Sequence, residues 1–464
     1  MNRRQFLQRA TIYALVGLLG AGCDAEESLP QVNRNESDMT AKSKVIVIGA
    51  GMAGLSAARR LQQKGISVVV LEARNRIGGR TWTDDSLGLP LDMGASWIHG
   101  VRGNPVTDLA REFGVETAVT DYDNQIIYDA QGRKLSAAEV EELEAWLEEL
   151  GEEADAYGEE LDNDVSFGST IDRIIADADL EPDELQKLNY ALNSAIEHEY
   201  AADVHEMSLW EWWYGEDFGG EDVVFPKGYG QIVAQLAKGL DIHLNQIVSQ
   251  IAYDDGVTIT TNQDSFAADY AIVTLPLGVL KKASVTFSPA LPTEKQRAIS
   301  KLGMGLLNKV YFLFKEAFWD KDAIIIGHIA EQKGEWAEFL NLYNIVNQPV
   351  LLGFNAAEFA RHLETLGDDE IVADGMRVLR TIYGRNIPDP QATLITRWQS
   401  DPFAGGSYSF VPPGASEADY KAMARPVANR LFFAGEATHS DYPSTVHGAI
   451  LSGYREADRI LGLG

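Results

Sequence analysis

Between Lys44 and Arg80 the chain carries the one pattern that leaves few folds open. Val45 to Ile48 is a short apolar run, the length of a buried parallel strand. Gly49, Gly51 and Gly54 follow at once as G-x-G-x-x-G. The first glycine allows a tight turn, the second lets backbone approach a pyrophosphate, and the third lets the next helix pack on the strand. Leu55, Ala58 and Leu61 then recur at helical spacing, and Gly65 stands where a helix stop is expected. A second apolar strand, Ile66 to Leu71, ends at Glu72, placed to accept hydrogen bonds from a ribose 2′-OH and to disfavour a 2′-phosphate. Ordinary turn glycines would not bring strand, helix, strand and acid in that order. The fingerprint predicts a dinucleotide site but does not separate NAD from FAD.

The residues that follow do separate them. Arg74, Gly78, Gly79 and Arg80 extend the pattern as E-A-R-x-R-x-G-G-R, a second glycine turn with cations directed back at the phosphates. Near the other end, Phe432 to Thr438 reads FFAGEAT, an apolar strand entering a Gly-Glu turn, and HSDYPSTVHGAILSGYREADRIL follows. There Ala449, Ile450, Gly453 and Ala457 suit a closely packed helix. Together these segments resemble the flavin amine oxidase family, which includes monoamine oxidases, polyamine oxidases and histone lysine demethylases. Phytoene desaturases and protoporphyrinogen oxidases share much of the N-terminal extension. The resemblance covers about residues 43 to 464. It implies an α/β fold, a Rossmann-like, glutathione-reductase-like FAD-binding domain with an inserted α+β substrate-binding domain, and non-covalent FAD.

Composition bounds the partners. The 464 residues are 45% hydrophobic and 23% charged, which suits a large core. The net charge of −30 argues against nucleic acid or an anionic membrane as partner of the folded body. It is compatible with a small cationic amine substrate, and equally with simple solubility. Thirteen acids and no Lys or Arg lie between Glu139 and Asp164. Ser136 and Glu139 read as a capping box, and Val140, Leu143, Leu147 and Leu150 as the buried stripe of a surface helix. The single cysteine, Cys23, excludes an intrachain disulfide, and the histidines show no metal-ligand spacing, so no metal is expected.

Residues 1–23 read as a targeting segment. Arg3-Arg4-Gln5-Phe6-Leu7 resembles a twin-arginine export signal, and Ala10 to Gly22 is uncharged but too short for an ordinary membrane span. Leu19 to Cys23 resembles a bacterial lipoprotein site with Gly20 in place of the usual Leu, so Cys23 is either a lipid anchor or incidental to a plain cleaved signal. Residues 24–43 read as a flexible tether. The expected location is the periplasm or its membrane face, or the cytoplasm if translation starts at Met39.

The expected domains are discontinuous: 44–103, 223–287 and 396–464 for the cofactor, 104–222 and 288–395, both helix-rich, for the substrate. Leu240 to Ile251 alternates as one strand, and Phe266 to Val279 reads as another that ends in a turn at Pro276. The resemblance implies that the Val248 backbone meets the adenine, that Glu436 and Gly435 reach the ribityl-phosphate region, and that Thr445 and Val446 reach the isoalloxazine. It adds Ala53 beside the glycines, and Met93, Gly94, Ala95, Ser96 and Trp97 against the ring.

Four further residues carry the chemistry. Lys309 lies inside the apolar strand Leu306 to Phe314, where an amine is costly without a partner, though an edge-strand lysine can snorkel. In the family such a lysine reaches flavin N5 through a water. Trp398 and Tyr408 lie in TRWQSDPFAGGSYSF, which matches the family's segment for a tryptophan beside the flavin and one aromatic wall of the amine cavity. Ser407 stands where covalent monoamine oxidases attach flavin through cysteine, and Thr445 replaces their second aromatic wall. His99, in ASWIHG, and the STVHGA segment at 444 to 449 resemble polyamine oxidases. A lone histidine is also often structural. The implied catalytic set is therefore Lys309, His99, Tyr408, Trp398 and Thr445. The expected reaction is hydride transfer from a polyamine α-carbon to flavin N5, imine hydrolysis to aldehyde and amine, and reoxidation by O2 to H2O2. The alternatives are an L-amino acid oxidase using an Arg such as Arg361, an aromatic monoamine oxidase, or a dehydrogenase that passes electrons to a protein partner.

Overall fold

The computed structural model of the protein describes residues 43–463 except 179. Residues 1–23, read as an export signal and containing Cys23, together with Met39 and nearly all of the segment read as a tether, lie outside the described residues.

The apolar runs of the fingerprint pair as parallel strands. Across the sheet the order is Leu431–Phe433, Tyr270–Val273, Lys44–Ile48, Ser67–Leu71 and Asp241–His243. Val45, Ile46 and Val47 are fully buried, because helices cover one face and a second sheet the other. On the helical face, Met52–Gln63 and Val446–Leu461 pack together through Ala53, Ala57, Gly453 and Ala457. Small residues set this approach. A Cβ on Gly54 would lie 2.0 Å from the Gly49 carbonyl oxygen, and one on Gly453 would lie 2.3 Å from that of Ala53.

On the other face lies a four-stranded sheet in the order Ser265–Ala268, Val257–Thr261, Val248–Ala252, Thr286–Ser288. Two strands expected to be continuous are each split between the sheets. Residues 240–251 break at left-handed Asn245 (φ +59), whose N–H donates to the Arg74 carbonyl, so Asp241–His243 and Val248–Ala252 belong to different sheets. Residues 266–279 break at Asp269, whose N–H is taken by Lys44, and continue past Pro276 as the helix Leu277–Lys281. Period-2 alternation cannot report which sheet a strand joins.

The third large sheet has the order Ala392–Ile395, Leu307–Leu313, Val350–Ala356, Glu338–Asn341, Ile325–His328, Gln125–Tyr128. Residues 288–395, expected to be helix-rich, supply all of its strands but one. Val310, Phe312 and Phe314 face the helix Asp368–Tyr383 through Met376 and Leu379. Lys309 and Tyr311 alternate to the opposite face, towards residues 92–96. The acidic helix is present as Ala137–Glu159, with its capping box at Ser136 and Leu143, Leu147 and Leu150 buried. It packs on the helices Phe167–Ala178 and Pro182–Leu192, away from the cofactor sheet.

The segment after 288 does not follow the substrate sheet at once. The helix Thr293–Lys301 packs on Glu417–Ala424 through Ala298, Leu302, Tyr420 and Met423, beside the cofactor sheet. Lys295 fastens it there, its buried amine donating to the Ala422 and Met423 carbonyls under the Phe433 ring. Among the described residues no helix is long and apolar enough to cross a membrane, and no group of His, Cys, Asp and Glu could hold a metal ion.

Gly54→Ala is expected to destabilise the protein by about 3 kcal/mol, because the new methyl meets rigid backbone rather than a yielding side chain. Urea unfolding of the cofactor-free protein measures it; an unchanged midpoint would show that the helix can shift without cost.

Candidate active site

The parallel strands deliver their carboxyl ends to one cavity of about 410 Å³, roofed by the third sheet. Gly49, Gly51, Ala53, Glu72, Arg74, Gly79 and Arg80 line one end. Met93, Gly94, Ala95, Ser96, Trp97, Gly435, Glu436, Thr445 and Val446 line its middle, with His99, Lys309, Trp398 and Tyr408. Two expected residues are not in the lining. Gly54 is spent on helix packing, and Val248 is buried in the core between the two cofactor-domain sheets.

The glycine end is built for a pyrophosphate. Helix Met52–Gln63 starts at Gly51 with no side-chain cap and no acid in its first turn, so its leading N–H groups are left for an anion. The second glycine turn lies against the first: Gly51 bridges Gly78, and Gly78 N–H donates to the Ala50 carbonyl at 2.8 Å. A Cβ on Gly51 would meet nothing closer than 3.9 Å, and one on Gly435 nothing within 4 Å. At Gly51 the missing side chain widens the cavity, whereas Gly435, at φ +133, is also required by its backbone. Glu72 accepts the Ala50 N–H at Oε2 and the Arg74 N–H at Oε1, both at 2.8 Å, which fixes the carboxylate at the strand end. The cations are held by acids: Arg74 forms a bidentate pair with Asp401 (2.7 and 2.8 Å), and Arg80 bonds Glu436 (2.9 Å) and the Ser407 carbonyl (2.8 Å). This donor set fits the diphosphate and ribose of FAD.

The ring end is organised by residues 92–96. A Cβ on Gly94 would lie 1.7 Å from the Arg80 carbonyl oxygen, so only glycine allows this turn to lie against the second glycine loop. Lys309, 3% exposed, donates from Nζ to the Asp92 carbonyl (2.8 Å), the Gly94 carbonyl (2.6 Å) and Ser96 Oγ (2.6 Å). Tyr311 adds a phenol bond to the same Asp92 carbonyl at 2.7 Å. Burial pushes the Lys309 amine below its ordinary value, against the opposing charge of Asp92. Burial likewise pushes the Asp92 carboxyl up, although Thr83, Lys309 and the Tyr229 N–H favour its anion. Trp398 closes the floor, its indole N–H donating to the Met93 carbonyl at 3.3 Å. Thr445 caps the helix Val446–Leu461, accepting from Gly448 N–H at 2.9 Å, so a positive helix end points into the cavity.

The remaining lining belongs to the amine end. The Tyr408 hydroxyl donates to the His198 carbonyl at 2.7 Å, and burial, reinforced by Glu199, pushes its phenol up. His99 stacks on Trp97 and lies 3.1 Å from Asp222, with 48% of its side chain exposed. Desolvation disfavours its cation, but the hydrogen bond and charge of Asp222 outweigh that and raise it to about 9. Asp222 thus favours the His99 cation, which cannot accept from an ammonium. Sequence reasoning missed the residues that can: Glu199, Glu211, Asp217 and Glu338 all line this end. It also missed His198, Tyr122 and Tyr200. A lone acid opening an apolar strand, as in Glu338-Phe339-Leu340, was the one available signal.

Ser407 Oγ donates to the Leu307 carbonyl and accepts its N–H, both at 2.9 Å. The residue at the attachment position is thus a strand fastener with no thiol. Acid precipitation of the purified protein is expected to leave all FAD in the supernatant. Flavin retained by the washed, proteolysed pellet would show a covalent link.

Comparison with known proteins agrees with this geometry. The family described as flavin containing amine oxidoreductase matches residues 52–461. Polyamine oxidase 2 of Arabidopsis thaliana is 36% identical over 438 residues, 90% of this chain and 88% of that protein. Lysine-specific histone demethylase 1 homolog 3 of Arabidopsis thaliana is also 36% identical, over 490 residues and 91% of this chain. The chain spans only 30% of that protein's length, and 55% and 52% of two other long relatives. Among solved structures, a double mutant of putrescine oxidase with redesigned cofactor binding superposes with a TM-score of 0.75 at 22% identity, covering 91% of this chain and 99% of that one. At that identity the likeness is one of fold. The cofactor is FAD, and the chain belongs to the flavin-containing amine oxidoreductase family.

Proposed function

We propose that this protein oxidises polyamines such as spermidine, spermine or their acetylated forms, with dioxygen as electron acceptor. The observation that carries the reading is the sign of the charge at the amine end. Glu199, Asp217 and Glu338 line it, Glu211 lines the same cavity, His99 is paired with Asp222, and the one lysine in the lining, Lys309, is committed to residues 92–96. Such a surface favours a substrate with more than one ammonium and repels an α-carboxylate. Arg361, the candidate for binding an amino acid carboxylate, instead pairs with Glu206 and is not in the lining.

When bound, FAD would supply the redox chemistry that couples oxidation of the amine to an imine with reduction of O2 to H2O2. The chain's own residues orient, exclude water and manage charge. Tyr408 and Trp398 wall the reacting amine, and residues 92–96, fixed by Lys309, set the floor. The reacting nitrogen must be neutral to release hydride. The imine that leaves is hydrolysed by water to an aldehyde and a shorter amine. A second reading, oxidation of a methylated lysine side chain, is favoured by the equal identity to the histone demethylase homologue. It too is a cationic amine on a long apolar stem.

A substrate panel read by anaerobic flavin bleaching separates these readings. kcat/KM is expected to be highest for spermidine, spermine or N-acetylspermine, lower for methyl-lysine peptides, and lowest for phenylethylamine and L-amino acids. A best substrate bearing a free α-carboxylate overturns the assignment, as does a single aromatic amine. Lys309→Met keeps most of the buried stem and removes the amine. Flavin reduction, reoxidation or both are expected to slow at least roughly tenfold while FAD stays bound. Wild-type rates in both half-reactions by stopped flow would remove Lys309 from the mechanism.

A further inference from the structure

Lys309 is bonded in a way that suits either of its protonation states. An ammonium has three N–H bonds to give, and Nζ has three acceptors: the Asp92 carbonyl, the Gly94 carbonyl and Ser96 Oγ. A neutral amine has two N–H bonds and one lone pair. The two carbonyls take the two bonds, and the Ser96 hydroxyl can turn and donate to the lone pair. Hydrogen bonding therefore does not choose between the states. The charges around the amine do.

The deciding charge comes from one residue. The rings facing Nζ, Trp97 at 5.8 Å and Phe354 at 5.9 Å, carry no ionisable group. Burial keeps Tyr311, on the same strand, and Tyr229, at the start of the helix Gly230–Ala237, as neutral phenols. Glu338 stands two strands away, in register through Phe354, and His99, stacked on Trp97, is paired with Asp222. The opposing charge that acts on Lys309 is the Asp92 carboxylate, itself 7% exposed.

Asp92 turns its two polar ends to different partners. Its carbonyl accepts from Lys309 Nζ and from the Tyr311 hydroxyl. Its carboxylate accepts from the Thr83 hydroxyl and from the Tyr229 N–H, at 3.0 and 3.2 Å to its two oxygens. The antiparallel pairing of Thr83–Asp84 with Leu91–Asp92 sets Thr83 directly opposite Asp92. Gly230 N–H donates to the same Thr83 hydroxyl at 2.8 Å, so the positive start of the helix stands behind the anion. Gly228, at φ +80, permits this approach, because a Cβ there would lie 2.3 Å from the Thr83 side chain. The helix start and the hydroxyl oppose the burial that would neutralise Asp92, and Asp85 is the acid that works against them. All three Nζ bonds stay in the loop that lines the cavity.

Resting on the assignment of Lys309 to the flavin half-reactions, we propose that Asp92 is the positioning residue that keeps Lys309 an ammonium at the ring end of the cavity. Its carboxylate acts through the field, and its carbonyl fixes where Nζ sits. Reducing a flavin and passing its electrons to O2 both gather negative charge, which a fixed cation in a water-excluded site stabilises.

Holoenzyme reduced by light without oxygen and then mixed with O2 in a stopped-flow instrument needs no amine, so the test is independent of the polyamine reading. The wild-type reoxidation rate is expected to fall as pH rises through the titration of Lys309. Asp92→Asn keeps the shape and the carbonyl but removes the charge that favours the ammonium. The fall then moves to lower pH by about one pH unit or more, a roughly tenfold loss of proton affinity, with the acid plateau within about threefold of wild type. A merely structural role would lower the rate at every pH. Urea unfolding of the cofactor-free protein at pH 7 gives a second readout. Asp92→Asn is expected to lower the midpoint in wild type, yet to leave it unchanged or raise it beside Lys309→Met, where no buried ammonium needs the anion. Thr83→Val, which loosens the anion, shifts the pH profile the same way by less, and carries the test if Asp92→Asn does not fold. An unshifted profile or additive midpoints overturn the proposal. If Lys309→Met is slow while the Asp92→Asn profile stays put, only Asp92 is wrong. If Lys309→Met reoxidises at the wild-type rate at every pH, the Lys309 assignment falls first and the proposal with it.

Discussion

The site depends on the bond cluster between Lys309 and residues 92–96. One ammonium donates to two carbonyls and a hydroxyl, and Tyr311 from the same strand adds a third bond to that backbone. These bonds tie the third sheet to the loop that leads from the second glycine turn to Trp97. A buried amine without such partners would cost on the order of several kcal/mol, so the strand and the loop can only be placed together. The same cluster faces the ring end of the cavity, so the residue that fastens the third sheet to this loop also lines the site.

Charge is separated along the cavity. At the glycine end the positive elements are backbone N–H groups and two arginines already balanced by Asp401 and Glu436, which receives an anionic cofactor without leaving a strong net charge. At the other end Glu199, Asp217 and Glu338 line the cavity, and the one lysine of the lining, Lys309, is committed to residues 92–96. The −30 net charge of the sequence does not explain this, because most of its acids lie on solvated faces such as the helix Ala137–Glu159. Four carboxylates placed in a cleft have more influence on selectivity than dozens on the surface.

Legibility followed the range of the interactions. Gly49, Gly51, Glu72, Gly79 and Arg80 were readable because their roles are set by neighbours in sequence: a strand end, a turn, a helix start. Lys309 was readable as a polar residue out of place in an apolar strand. Val248, expected to meet the adenine through its backbone, lies in the core cluster with Ile48 and Leu71, on a strand that the break at Asn245 sends to the second sheet. Thr445 was expected at the reacting end and is a helix cap that also lines it, two roles that one hydroxyl can combine. His99 was legible as a site residue, but its charge depends on Asp222, far along the chain.

By itself the sequence determined the cofactor half of this protein: strand, glycine turn, helix and acid are local, and local rules of turn geometry and packing allow one arrangement. It also determined that a lysine would be buried. Only the tertiary structure decided which acids line the cavity. Glu338 reaches the lining because its strand pairs it with Phe354 and through it with Lys309, contacts between strands that are distant in sequence. His198 gains its orientation from a π-turn and from a carboxylate on another strand. The physical reason is that hydrogen-bond register across a sheet, unlike a turn or a cap, is fixed by the partner strand and leaves no pattern in the strand's own residues.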